Sequence, residues 1–261
     1  MSATTSNPPT PAPFALSHAW STKHVIPQPC DLALNPPQTY LYIQDFLIVS
    51  CGILYALCYF FYMTRTYSDR YCAGTPLYLA GTMAYELYYS LVMPRSRFER
   101  VCFLVWFMFD VSFVSVALWK GYKREERRWM VWVLVVGTMA GMALLRVCGK
   151  IWKDDLEMVV AYWTGTLLEL PIGWASIYLL VKRGDTKGQS LEIWVTRFLG
   201  CIAAFAVFGW RYINAPQNWA YVGSSWSLGL MAATLLPEVV YPAVYIWAHR
   251  KERETGKAKV T

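Results

Sequence analysis

The chain has 261 residues, of which 56% are hydrophobic, 16% aromatic and only 16% charged. A soluble domain of this size carries about 25% charged residues, so the composition argues against a soluble enzyme and predicts one polytopic membrane domain. The net charge of +7 does not indicate nucleic acid binding, because the basic residues lie in short loops between apolar runs rather than in an aromatic-interleaved patch.

In chain order, a proline-rich segment comes first, at residues 1–40, and we expect it to be extended or loosely packed. Seven apolar runs follow, each near the ~20 residues needed to cross a bilayer core of ~30 Å. The predicted spans are 41–63, 74–93, 99–119, 128–148, 157–181, 190–210 and 222–248. The sequence therefore predicts an all-α bundle of seven transmembrane helices over residues 41–248, followed by a basic tail at 249–261.

The basic residues also predict an orientation. Lys and Arg are more numerous in the loops after spans one, three and five and in the C-terminal tail than in the remaining loops. By the positive-inside rule, the N-terminal segment is then luminal and the C-terminal tail cytosolic. We expect a multi-pass protein of the endoplasmic reticulum membrane.

Four carboxylates lie well inside predicted spans: Glu86, Asp110, Glu169 and Glu238. A charge at that depth is costly, so an acid inside a span is by default a functional-site hypothesis. A carboxyl group in a dry, apolar site keeps its proton and becomes a usable Brønsted acid. The alternative for each is an acid hydrogen-bonded across helices that contributes only to packing.

The sequence predicts neither a metal nor a cofactor. The seven cysteines and three histidines show no Cys-x-x-Cys and no zinc-ligand spacing. The run Asp154-Asp155-Leu156-Glu157 lacks the spacing of a diphosphate–Mg²⁺ motif, and we interpret it as a solvated turn.

One loop and the helix after it carry a family resemblance. The segment Arg183-Gly184-Asp185-Thr186-Lys187-Gly188-Gln189-Ser190, with Ile193-Trp194 and Arg197 to Gly200, resembles a signature of fungal integral-membrane terpene cyclases. These form the paxilline-pathway family of indole-diterpene and meroterpenoid biosynthesis. Further matches are Tyr85-Glu86 with Tyr88, Trp106 to Asp110, Pro171 to Ile177 and Glu238 to Pro242. The similarity spans about residues 40–250, and its most specific part is the loop, which we expect to be closely packed and to end in Ser190 as a helix cap.

The resemblance implies a metal-independent cyclase of lyase or isomerase type. Its substrate is a prenyl chain, often with a terminal epoxide, on an aromatic, polyketide or indole head group. The essential acids of the family map onto Glu86, our choice for the initiating acid or the partner that holds it, and Glu238, the second acid or base. Asp110 is assigned as a supporting residue. The candidate substrate-contacting aromatic residues are Tyr88, Tyr89, Trp106 and Trp210.

Two departures from the family pattern bear on substrate scope: Glu238 stands where Asp is common, and Tyr85 stands where Trp is usual. The expected partners are a hydrophobic prenylated substrate and the lipid bilayer, with no obligate protein partner.

A proton-coupled seven-helix transporter is the rival hypothesis, because four mid-depth acids also suit a proton relay. The sequence shows none of the repeat symmetry common in carriers. A receptor is a weaker alternative, since the last span lacks an Asn-Pro-x-x-Tyr signature. A closed aromatic cavity around Glu86 and Glu238 favours the cyclase, and a polar path to one aqueous face favours the carrier.

Overall fold

The structure is a computed structural model that describes residues 24–94, 97–152 and 158–256. Within these residues it has no β-strand and the following α-helices: α1 (Pro29–Leu32), α2 (Gln38–Asp69), α3 (Pro76–Leu87), α4 (Arg97–Val116), α5 (Arg124–Ile151), α6 (Val159–Arg183), α7 (Leu191–Asn214) and α8 (Ser225–Glu254). Three sequence predictions reach outside the described residues: those for the N-terminal segment before residue 24, the turn at 154–157 and the tail from residue 257.

Six of the helices are long and apolar enough to cross a membrane: α2, α4, α5, α6, α7 and α8. The remaining predicted span is α3, whose 12 α-helical residues are extended only by a five-residue π-helical turn, Tyr88–Val92. Its length falls short of the ~20 residues of a typical crossing. The prediction of an all-helical membrane protein is confirmed, while the seventh crossing and the orientation stay predictions.

The chain from residue 24 to the start of α2 packs against the bundle, so the expectation of loose packing is wrong for this part. Asp31 is buried there. Its carboxylate accepts hydrogen bonds from the Tyr40 hydroxyl at 2.6 Å, the Trp219 indole at 2.7 Å and the Asn218 amide at 3.2 Å. These bonds offset the desolvation of the charge and attach the segment to the turn before α8.

Helices pair closely where the sequence supplies small residues. The helix α2 packs along α7, α3 along α5, and α6 along α8. In the α3–α5 pair, a Cβ atom on Gly137 would lie 2.8 Å from the Cβ of Ala80, and one on Gly141 would lie 2.6 Å from that of Ala84. Small residues at such contacts let backbones approach within a membrane, where van der Waals packing drives association.

The last helix, α8, contains two prolines, Pro237 and Pro242. Proline has no N–H, so each leaves the carbonyl four residues earlier without its helical partner. The Trp174 indole of α6 donates to the carbonyl freed by Pro237 at 3.0 Å. The Trp194 indole of α7 donates to the one freed by Pro242, the Glu238 carbonyl, at 2.8 Å. Neighbouring helices thus complete the backbone hydrogen bonding of α8.

The loop between α6 and α7 is closely packed, as predicted. The backbone N–H and hydroxyl of Thr186 donate to Glu252 of α8 at 3.2 and 2.9 Å. The N–H of Gly188, whose φ of +74° suits glycine, donates to Asp69 of α2 at 2.7 Å. Ser190 accepts a hydrogen bond from the backbone N–H three residues on at 3.3 Å, which confirms it as the cap of α7.

Candidate active site

A cavity of about 560 Å³ lies between α2, α3, α4, α6 and α7. Its size suits a small-molecule ligand. The lining is mostly apolar, and its aromatic side chains are those of Tyr55, Tyr59, Tyr85, Phe98, Phe103, Trp106, Phe109, Tyr162, Phe205 and Phe208. Such a wall solvates a hydrocarbon chain and offers ring faces to a cation.

The cavity reaches the outside of the bundle between α2 and α4. Val49 and Ile53 of α2, and Phe98, Val101 and Val105 of α4, line the cavity and are also exposed apolar side chains. Both helices are long and apolar enough to cross a membrane, so the outer edge of this gap is apolar.

Glu86 presents a carboxyl group to this cavity. It is buried, and its Oε1 atom accepts a hydrogen bond from the Tyr59 hydroxyl at 3.2 Å. Among the described residues, its Oε2 atom has no hydrogen-bond partner. A buried carboxyl oxygen without a partner is uncommon, and here it belongs to an acid that lines a cavity large enough for a ligand.

Asp110 of α4 lies directly behind Glu86 and is fully buried. The side chains of Glu86, Tyr59 and Thr82 surround its carboxyl group. Within the described part of the chain, neither Asp110 oxygen has a hydrogen bond of ordinary geometry. Two buried carboxylates this close repel each other, so a charge on one disfavours a charge on the other. The structure therefore brings together two of the predicted site residues as an acid pair.

Glu169 of α6 is a second acid in the cavity lining. Its Oε1 atom accepts hydrogen bonds from the Tyr55 hydroxyl and from the Cys201 thiol, both at 3.2 Å. Both donors are neutral, so this carboxyl group keeps access to a bound molecule without a fixed counter-ion.

Glu238 lies outside this lining, in an ion pair with Arg197. Nε of Arg197 lies 2.9 Å from Oε1 of Glu238, and Nη2 lies 3.0 Å from Oε2. Nη1 of Arg197 donates to the hydroxyls of Tyr62 at 2.7 Å and Ser176 at 3.3 Å. Both members of the pair are almost completely buried. This two-pronged geometry satisfies the charges of both groups.

The two predicted catalytic acids, Glu86 and Glu238, therefore do not share one cavity wall. Arg197 and Glu238 are nevertheless close enough to act electrostatically on Glu169, which does line the cavity. The catalytic role of Glu238 stays a prediction, and any influence on the cavity passes through these neighbours.

One of the four predicted aromatic contacts, Trp106, lines the cavity, and the other three do not. Tyr88 and Tyr89 belong to a buried cluster that packs against the cavity-lining side chains of Tyr85 and Phe103. Tyr88 lies about 200° around the helix from Glu86, and a π-helical turn begins there. The indole of Trp210 donates to a backbone carbonyl of α2 at 3.1 Å. The aromatic side chain next to Glu86 that does line the cavity is Tyr85.

Sequence reasoning missed two charged residues in the lining, Glu99 of α4 and Arg211 of α7. Both are buried. Both lie near the ends of predicted spans, where charged residues usually set the membrane topology, so they were not considered as candidate site residues. The sequence signal that could have identified Arg211 is its position directly after Trp210, at the end of an apolar run.

Comparison with known proteins gives one consistent family. The model of the Pyr4-like transmembrane terpene cyclases matches residues 30–251. The Pyr4-family terpene cyclase mfmH of Annulohypoxylon moriforme is 28% identical over 247 residues, which cover 91% of this chain and 100% of the relative. The terpene cyclase macJ of Penicillium terrestre is 27% identical, with 84% of this chain and 88% of the relative covered. The terpene cyclase ascF of Acremonium egyptiacum is 26% identical, with 80% and 82% covered. No solved structure matches the chain at a significant level.

Proposed function

We propose, since the chain belongs to the Pyr4-like transmembrane terpene cyclases, that it cyclises a prenyl chain carried on an aromatic, polyketide or indole head group. The reaction starts by proton transfer rather than by loss of a diphosphate. The observation that carries the proposal is the Glu86 carboxyl group, which lines an apolar, aromatic cavity with Asp110 behind it.

Glu86 is the initiating acid in this proposal. It donates a proton to the epoxide oxygen of the substrate, or to a terminal alkene, and the C–O or π bond breaks to leave a carbocation. Asp110 and Tyr59 hold the Glu86 side chain and accept part of the charge that remains on it. Proton donation by a positioned carboxyl group accelerates a reaction by about 10²–10⁴-fold.

The aromatic walls stabilise the cation while new C–C bonds form. Tyr55, Tyr85, Trp106 and Phe109 line the same cavity as Glu86. A desolvated cation over an aromatic face gains about 2 kcal/mol. The apolar lining also excludes water, which would otherwise capture the cation as an alcohol.

The final proton goes to a base that lines the cavity, and we propose Glu169 for this step. Glu238 remains the second essential acid of the proposal, but it acts through its pair with Arg197, which fixes the electric field at Glu169. Loss of a proton from the carbon beside the cation gives an alkene, and the product is an isomer of the substrate.

The substrate arrives from the lipid phase through the gap between α2 and α4. We propose a multi-pass location in the endoplasmic reticulum membrane, with the N-terminal side luminal and the C-terminal tail cytosolic. The rival function, proton-coupled transport, needs a polar path to water, and the apolar lining of the cavity supports the cyclase instead.

The test incubates microsomes that hold the protein with prenylated aromatic substrates, with and without a terminal epoxide, in D₂O. We expect a cyclic isomer, with no stable C–D bond when the epoxide oxygen is protonated and one C–D bond when an alkene is protonated. Turnover is expected to survive EDTA. Failure to form a cyclic isomer from either substrate, or turnover that stops with EDTA and returns with Mg²⁺, would contradict the proposal.

A further inference from the structure

A buried arginine forms part of the cavity wall near the end of α7. Arg211 is 2% exposed and lines the cavity. We propose, on the premise of the proposed function, that Arg211 binds the head group of the substrate through a carboxylate, while the prenyl chain extends towards Glu86.

The partners of Arg211 are neutral. Its Nε atom donates to the Gln44 side chain at 3.2 Å, and its Nη1 atom lies 3.7 Å from the sulfur of Met158. The guanidinium also lies over the Trp219 ring at 4.7 Å. A guanidinium carries five N–H donors, so these contacts leave donors available for a bound acceptor.

The nearest acid does not neutralise Arg211 by contact. Asp31 acts on it electrostatically, yet the Asp31 oxygens accept from Tyr40, Asn218 and Trp219. In the described ranges of the chain, no carboxylate lies within salt-bridge distance of Arg211. The other buried arginine, Arg197, has a two-pronged carboxylate partner. Burying a cation is costly without such a partner, and an anionic ligand in the cavity would supply one.

The position of Arg211 relative to Glu86 fits the length of a prenyl substrate. Gln44 contacts Arg211, and Tyr59 contacts Glu86, and both lie on α2. At 1.5 Å per residue, they are separated by about 22 Å along the helix axis. A prenyl chain together with its aromatic head group has a length of this order, with the head group at Arg211 and the reacting end towards Glu86.

The chemistry favours an aromatic head group that bears a carboxylate. Arginine binds carboxylates through paired N–H donors, which fixes the direction of the bound group. Phe208 lines the cavity beside Arg211 and is in contact distance of its guanidinium, at 5.7 Å from the ring centroid. An aromatic acid therefore meets a cation at its carboxylate and a ring at its face.

The experiment uses two probes with the same terminal epoxide: a farnesylated hydroxybenzoic acid and its methyl ester. Binding is measured as the ligand-induced rise in unfolding temperature of the detergent-solubilised protein, separately from turnover. We expect Arg211→Gln to raise the dissociation constant of the acid by about tenfold or more, as for a lost charged hydrogen bond. The dissociation constant of the ester should change by less than about threefold.

A second variant guards against a folding defect in the first. Gln44→Glu keeps the side-chain size and gives Arg211 an internal carboxylate, so it should weaken binding of the acid and spare the ester. Equal effects on both probes, or an effect on neither, would overturn the head-group assignment. If wild-type protein binds the acid but forms no cyclic isomer, the proposed function fails while the binding site at Arg211 stands.

Discussion

Two buried acids of this protein lie in opposite surroundings. Glu238 is held by both prongs of Arg197, which in turn donates to the hydroxyls of Tyr62 and Ser176. Glu86 lines a cavity, has one hydrogen bond from Tyr59, and has an acid as its closest charged neighbour. The first group is a satisfied ion pair, and the second is an acid in the cavity lining with one hydroxyl partner and a second acid beside it.

The difference teaches that depth in the bilayer does not identify a catalytic acid. Both carboxyl groups lie well inside apolar helices, yet one stabilises the packing of α7 against α8 and the other faces empty volume. The charge and direction of the neighbours decide which acid exchanges protons with a substrate. Variants of these two sites therefore have different expected outcomes.

The largest expected effect is that of Glu86→Gln. Glutamine keeps the shape and the hydrogen bond with Tyr59 but has no proton to donate, so we expect turnover to fall by at least about a hundredfold. Product yield in microsomes with matched expression measures this, and an unchanged unfolding temperature serves as the control. Near-normal yield would remove Glu86 from the chemistry and move the acid role to Glu169 or Asp110.

Glu238→Gln should act first on stability. It leaves Arg197 buried without a carboxylate, which costs about 3–5 kcal/mol. Glu238→Asp keeps a carboxylate partner for Arg197. This variant should keep substantial activity, with some change in product distribution. Thermal unfolding in detergent and product analysis of the same preparations measure the two effects.

A double variant separates packing from chemistry at this site. Arg197→Met with Glu238→Leu removes both charges, and replacement of a buried pair by apolar side chains is often neutral for stability. We expect the double variant to regain stability while turnover stays low. Full recovery of turnover would make Glu238 structural and end the two-acid mechanism.

Asp110→Asn should reduce turnover by only about tenfold, as for one hydrogen bond that supports the reacting group. Its effect on stability should be small, because asparagine fits the same space and removes a repulsive charge. The rate constant of a single turnover measures this loss. If Asp110→Asn is as inactive as Glu86→Gln, the proton belongs to the pair rather than to Glu86.

The smallest expected effect on turnover is that of Trp194→Phe, which removes the indole donor to the Glu238 carbonyl and touches no acid side chain. One buried carbonyl then lacks a partner, at about 1–3 kcal/mol of stability. The matched control is Trp226→Phe, because Trp226 is 86% exposed. Equal unfolding temperatures for the two variants would show that this indole contributes nothing to the paired site.

Local features of the fold were predictable from the sequence. Apolar runs bounded by charged residues or proline predict helices, because a chain that crosses a bilayer must satisfy its backbone hydrogen bonds internally. The cap at Ser190 follows from a polar side chain directly before an apolar run. The error at residues 24–40 arose because proline content predicts local stiffness but not the hydrogen bonds that Asp31 makes to Trp219 and Tyr40.

The arrangement of the site was less predictable, because distance along a helix gives depth but not direction. Arg197 was visible inside an apolar run, and a cation there implies a carboxylate partner. Because four acids lie at similar depths in the predicted spans, the sequence did not identify which of them pairs with Arg197. Tyr88 and Tyr89 were chosen for their nearness to Glu86 in sequence, but they lie in a buried cluster behind the cavity-lining Tyr85 and Phe103 and do not line the cavity themselves.

The two proline positions of α8 have a consequence for biosynthesis. The carbonyls that Pro237 and Pro242 leave free would each cost several kcal/mol in bare hydrocarbon. Their indole donors lie on α6 and α7, which precede α8 in the chain and leave the ribosome before it. The last helix therefore enters the membrane beside helices that already hold its missing donors.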